Sequence, residues 1–416
     1  MSIANNQKII LKNASIIDVN HETPSKRSNV VIENDVITAV THENCSDSNA
    51  QVIDLANYYL LPGLIDCLVH VSATKFDLAD TDIPETYRGI QAKKYLQDML
   101  QRGFTSVRDA GGADDGLVMA TQKGLIDGPR IFPSIKAISQ TGGHGDFHGR
   151  HHHFDPCLCQ EGGSSISVIA DGVAAVRKTV REQIRQGATQ IKIMASGGVA
   201  SPTDRVENVQ YSEDEIKAIV DEANHAGIYV MAHAYASNAI QRCIRNGVRT
   251  IEHGNLLNEE TARLMAENNV YLVPTMVIYH AIQQIGKEEG CPADSIAKLD
   301  LVLKSAIHSV KLARAAGVKI GFGTDLLGPK AHKMQSDEFV IRLKGSETAH
   351  QIITSATAIN AEILQQKDKL GVVKAGALAD LIAVDKNPLD DISVLTGQGE
   401  HLFLIMKAGK IDKKLI

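Results

Sequence analysis

Residues 212–233 read SEDEIKAIVDEANHAGIYVMAH, and this stretch decides the fold. Ser212 with Glu215 three positions on is a capping-box signature, in which each residue satisfies an orphan amide of the first helical turn. Ile216, Ile219, Val220 and Ala223 follow at i, i+3, i+4, i+7, one apolar face of a helix. Gly227 stops that helix, and IYVMAH (228–233) is too apolar and too short for anything but a buried strand.

The unit repeats in both directions. A helix over about 238–246 leads to the strand RTIEH, which ends at His253. Further helices precede VYLVP (270–274) and VKIGFGTD (318–325), and earlier strands are predicted at 105–109, 130–134 and 190–194. Alternating strands and helices imply a parallel sheet, and about eight units close into a (β/α)8 TIM barrel. The barrel is placed at 61–365. Both ends of the chain are instead β-rich, as in KIILKNASIIDV and HLFLIMKAGKI. Residues 1–60 and 366–416 are therefore expected to pair into one small β-sandwich domain.

Composition narrows the function. Of 416 residues, 44% are hydrophobic and 22% charged, with a formal net charge of -6. No basic surface invites nucleic acid, and the absence of tryptophan leaves few stacking platforms. Six cysteines in a chain of this length do not make a disulfide framework. No apolar run approaches the ~18 residues of a membrane span, and the first residues carry no signal-peptide pattern. The expected setting is cytoplasmic and reducing, with a small-molecule substrate, no nucleic acid and no membrane.

His70, Lys192, His233, His253 and Asp325 each fall at or near the C-terminal end of an apolar run. In a barrel those ends converge on one face, where chemistry is done. A lone strand-end histidine is more often structural than a ligand; five metal-compatible residues at five ends are a different matter. His233 and His253 are twenty residues apart, one helix-plus-strand unit, which sets them on adjacent strands.

The motifs LLPGLIDCLVHV, GFTSVRDAGG, IKIMASGG, VMAHAY, TIEHGN, GFGTD and KLGVVKAGALADLIAVDKNPL, in this order, resemble the amidohydrolase superfamily. More narrowly they resemble its imidazolonepropionase-like peptidases, the metal-dependent prolidases (Xaa-Pro dipeptidases) and carboxypeptidases. TGGHGDF, ASGGVASPTD and YSEDEIKAIVDEA strengthen the Xaa-Pro dipeptidase likeness. The resemblance implies one or two divalent ions, with zinc suited to imidazole and carboxylate donors. Lys192 would be carboxylated by CO₂ and bridge the ions, His233 and His253 would hold the β-metal, and His70 and Asp325 the α-metal. Asp325 would also carry the proton from attacking water to leaving nitrogen. Metal-bound hydroxide would cleave the C-terminal amide bond of a dipeptide, most simply Xaa-Pro. The alternatives are a C-terminal Arg or Lys carboxypeptidase and an N-acyl amino acid hydrolase. The resemblance also implies a homo-oligomer.

One departure stands out. Where the family carries Asp-X-His-X-His, this chain reads Asp66-Cys67-Leu68-Val69-His70, and Leu68 offers a metal nothing. Three readings compete: a one-metal variant, an inactive homologue, and a sequence altered at this position. His144, in QTGGHGDF, matches a loop histidine over the metals that could steady an oxyanion, and Tyr235 matches a substrate contact. The run from His148 through His151, His152 and His153 to Cys157 and Cys159 does not fit a structural zinc motif and is expected to be a solvated loop, in which Arg150 could meet a substrate carboxylate. The Gly142-Gly143 and Gly197-Gly198 pairs are expected to let loops pass close to the centre, and Met334–Phe339 to form another nearby loop.

Overall fold

The computed structural model describes residues 8–19, 21–43, 45, 47–78, 83–148, 164–201, 204–345 and 347–416. Its centre is a parallel (β/α)8 barrel. Seven strands are Leu64–Val69, Phe104–Asp109, Arg130–Pro133, Gln190–Met194, Tyr229–Ala236, Thr250–Leu256 and Tyr271–Val273. The eighth stave, residues 319–325, is irregular but closes the ring. Gly321 N donates to Leu272 O at 2.8 Å on one side, and Cys67 N to Phe322 O at 2.8 Å on the other. Between the third and fourth strands, Thr189 N donates to Pro133 O at 2.9 Å.

The helix that starts the second half of the barrel, Glu213–His225, has the expected capping box, with Ser212 Oγ accepting from Glu215 N at 3.3 Å. Gly227, at φ +73°, ends it in a left-handed conformation that costs glycine little. Residues 318–325 are the one expected barrel strand that is not regular, with a single bridge from Ile320 to Leu272 and a left-handed turn at Asp325, φ 57°.

Both ends of the chain pair into one eight-stranded sheet. Tyr59–Pro62, just before the first barrel strand, pairs antiparallel with Leu381–Val384 and parallel with Lys8–Ile16. Asp380 rivets this sheet to the barrel: it accepts from Arg130 Nη1 at 2.8 Å, and its carbonyl accepts from Gly63 N at 2.8 Å. Among the described residues no helix is long and apolar enough to cross a membrane.

Inside the barrel, Arg108 and Glu252 form a fully buried ion pair at 2.8 Å, with Thr250 accepting a further Arg108 N–H at 3.1 Å. Burial makes an unpaired charge there very costly, so the pair holds the strands in one register. It forms the polar floor of the barrel on the same strand as His253.

Candidate active site at the barrel mouth

Strand register brings the five strand-end residues together. His233 pairs level with Met194, two residues beyond Lys192, and His253 lies level with Ala234. His70 Nε2 stands 3.3 Å from Asp325 Oδ1, and His253 Nε2 4.0 Å from Asp325 Oδ2. The rings of His233 and His253 meet edge to face at 4.6 Å. His70, Lys192, His233 and His253 are buried, and Asp325 is half-buried.

Main-chain carbonyls fix which nitrogen each ring offers. A carbonyl can only accept, so the nitrogen against it carries the proton. His70 Nδ1 meets Gly111 O at 2.8 Å, leaving Nε2 toward Asp325. His233 meets Gly197 O through Nε2 at 3.1 Å, which leaves Nδ1 as its free donor atom. His253 Nδ1 bonds the Thr275 hydroxyl at 2.7 Å. Outer hydrogen bonds of this kind hold ligating imidazoles in one tautomer and orientation.

The backbone is strained here. His253, Thr275 and Asp325 take φ values of 74°, 46° and 57°. Non-glycine residues in that region cost ~1–3 kcal/mol each, and Thr275 is β-branched as well. Strain held at one spot on three chain segments marks a place where side-chain aim outweighs stability.

Charge follows burial. Burial opposes a charge on His70, but the hydrogen bond and charge of Asp325 carry its pKa upward. Burial pushes His253 down to about 3 and His233 well below its ordinary value. Burial likewise lowers Lys192, despite Glu252 and Asp325 pulling the other way. A buried lysine displaced toward its neutral amine is the form that can react with CO₂, so the donor set fits a divalent ion. No three His, Cys, Asp or Glu side chains among the described residues are grouped to hold an ion by themselves. Leu68, between Asp66 and His70 in sequence, is fully buried.

Over these residues lies a pocket lined by His144, His233, Tyr235 and Asp325, with Phe76, Val199, Ile278, Ile282 and Leu327 as apolar walls. His144 stacks on His233 at 4.1 Å, and burial pushes its pKa down to about 4. Tyr235 stacks on His253 at 5.1 Å and shares a hydrogen bond of 3.1 Å with Tyr279. Gly198 does pass close: a Cβ there would fall 2.2 Å from the His144 ring. His148 is described; Arg150, His151, His152, His153, Cys157 and Cys159 lie outside the described residues.

Sequence reasoning passed over Tyr279, Ser201, Asp204 and Glu338. Tyr279 also bonds Asn255 Oδ1 at 3.1 Å, and Glu338 caps the short helix Met276–Ala281 by accepting from Val277 N at 2.6 Å. The stretch Met334–Phe339, expected as a loop, instead runs from the end of the 3-10 turn Ala331–Met334 into the helix Asp337–Lys344. The motif ASGGVASPTD holds Ser201 and Asp204 and the stretch Met334–Phe339 holds Glu338, but neither pointed to a role.

Comparison with known proteins agrees with this geometry. The model of the amidohydrolase family matches residues 59–412. Ochratoxinase of Aspergillus niger is 34% identical over 376 residues, covering 85% of this chain and 75% of that protein. A prolidase solved with N-methylphosphonate-L-proline superposes with a TM-score of 0.94 at 47% identity, over 98% of this chain and 100% of the other. A Xaa-Pro dipeptidase with methionine in its active site gives 0.88 at 31% identity, over 98% and 100%. With its barrel, its strand-end donors and these likenesses, the chain belongs to the amidohydrolase family.

Proposed function

We propose that this protein is a metal-dependent hydrolase that cleaves the C-terminal amide bond of dipeptides, Xaa-Pro foremost. The observation that carries the reading is the convergence of His70, Lys192, His233, His253 and Asp325 at one barrel mouth. The likeness to a prolidase solved with a proline phosphonate supports the choice of substrate.

When bound, a divalent ion supplies an acidified water and polarises the scissile carbonyl. Carboxylated Lys192, His233 and His253 would hold it, with zinc the suited metal. His70 and Asp325 would contribute to a second position that Leu68 leaves a donor short. Asp325 takes the proton of the attacking water and hands it to the leaving imino nitrogen of proline, the shuttle role open to a carboxylate. Tyr235 is the pocket group that can donate to the substrate carbonyl, and His144 meets a second polar group of the substrate.

The apolar walls favour a second reading over a basic-residue carboxypeptidase. Among the described residues that line the pocket Asp325 is the one acidic residue, and no second carboxylate among them stands ready for an arginine or lysine side chain. An N-acyl amino acid with an apolar acyl group fits the same walls.

A substrate panel tests this. Zinc-loaded protein is expected to hydrolyse Phe-Pro and Leu-Pro, to lose that activity with a chelator, and to leave peptides ending in Arg or Lys intact. Cleavage of N-acyl amino acids alone would select the second reading. No hydrolysis of either class would overturn both.

A further inference from the structure

Behind His144 lies a closed ring of hydrogen bonds whose direction is set by one backbone amide. His144 N–H donates to Gln210 Oε1 at 2.9 Å, which turns the Gln210 amide nitrogen toward Asp204 Oδ2 at 2.8 Å. The other Asp204 oxygen accepts the hydroxyl of Ser201. Ser201 Oγ in turn lies 2.8 Å from Nδ1 of the His144 ring. Lys298 bonds the carbonyls of Gly198 at 3.0 Å and Ser201 at 2.8 Å, and stands 3.6 Å from Asp204. His144, Ser201, Asp204 and Gln210 are all buried.

Each step leaves one choice. A backbone N–H only donates, so Gln210 must present its oxygen to His144 and its N–H₂ to Asp204. Asp204 accepts at both oxygens and faces an ammonium, so it is a carboxylate. Ser201 has one proton, which goes to Asp204, with Gly198 O at 3.4 Å a weaker second acceptor that also lies away from the ring nitrogen. Its oxygen can then only accept, and the proton of that bond sits on His144 Nδ1. The ring is held flat between Gly198 and His233, so it keeps this face to Ser201.

We infer that Ser201, Asp204 and Gln210 are positioning residues that lock His144 as the Nδ1–H tautomer. Nε2 is left as the bare nitrogen of the ring on the pocket wall. In this tautomer Nε2 accepts a hydrogen bond, and the substrate group that meets it brings the hydrogen. This deepens the peptidase reading but rests on it only for the identity of that group; the tautomer itself does not depend on what is hydrolysed.

Long-range proton–nitrogen correlation spectra of zinc-loaded protein labelled with ¹⁵N-histidine read the tautomer directly, with His144→Gln assigning the signals. The expected pattern is a protonated Nδ1 and a bare Nε2. Ser201→Thr keeps the hydroxyl and retains this pattern, whereas Ser201→Ala loses it. Asp204→Asn can donate to Ser201 Oγ, turn the hydroxyl toward the ring and move the proton to Nε2. A wild-type ring protonated at Nε2 overturns the inference without any variant. An unchanged pattern in both Ser201→Ala and Asp204→Asn also overturns it. Hydrolysis assays play no part, so failure here and failure of the peptidase reading are distinguishable.

Discussion

His70 and Asp325 stand 3.3 Å apart although 255 positions separate them, and their bond joins the first strand of the barrel to its last stave. The amide of Asp325 donates to Leu68 O at 2.8 Å, which sets the carboxylate directly over the mouth. On the proposed mechanism this carboxylate moves the proton. Asp325→Asn keeps the shape and one acceptor but cannot take a proton. Turnover of Phe-Pro is expected to fall by about 10²–10⁴-fold, the usual worth of a positioned acid–base group. Undiminished turnover in a variant with an unchanged melting curve would end the shuttle role.

Leu68 is the next test. It shares a small apolar cluster with Ile65, Met231 and Val273, and Gly323 packs so tightly against it that a Cβ there would lie 3.0 Å away. Leu68→His is expected to add a second ion per chain and to raise turnover. A gain of neither would show that this position is not the missing donor.

The Arg108–Glu252 pair governs stability rather than chemistry. Arg108→Met strands the Glu252 carboxylate in the barrel core and is expected to cost about 3–5 kcal/mol in a denaturant titration. Changing both residues to methionine should recover much of that loss. A single variant as stable as the wild type would contradict a structural role for the pair.

Glu338 should make stability depend on pH. Burial pushes its pKa from 4.5 up to about 8, against the pull of Arg342 and the amides of Val277 and Met276. The folded protein thus keeps a proton that the unfolded chain releases between those values. Stability from the neutral acid is complete below 4.5 and is lost as pH rises through about 8, at about 1.4 kcal/mol per unit. Melting temperatures of Glu338→Gln should fall less over this range than those of the wild type. Parallel curves would contradict the assignment.

What the sequence made legible was local. Ser212, Glu215 and Gly227 specify a helix and its ends within sixteen residues, and the strand QIKIM runs 190–194 as read. The strand-end positions of His70, Lys192, His233 and His253 follow from period and length alone, because a barrel turns strand ends into neighbours. What stayed hidden depends on distant pairing. Glu338 caps a helix 61 residues before it, Tyr279 meets Tyr235 across 44, and Ser201 meets His144 across 57. No periodicity records such pairs. The irregular eighth stave escaped for another reason: GFGTD has strand composition, and nothing in that composition records the left-handed turn at Asp325.

The most direct measurement is the metal content of the protein purified with Zn²⁺ and bicarbonate, by elemental analysis. On the proposed assignment His233, His253 and carboxylated Lys192 hold one ion firmly while the position beside His70 lacks a donor at Leu68, so one ion per chain is expected. A chain that binds none under these conditions would contradict the metallohydrolase reading itself.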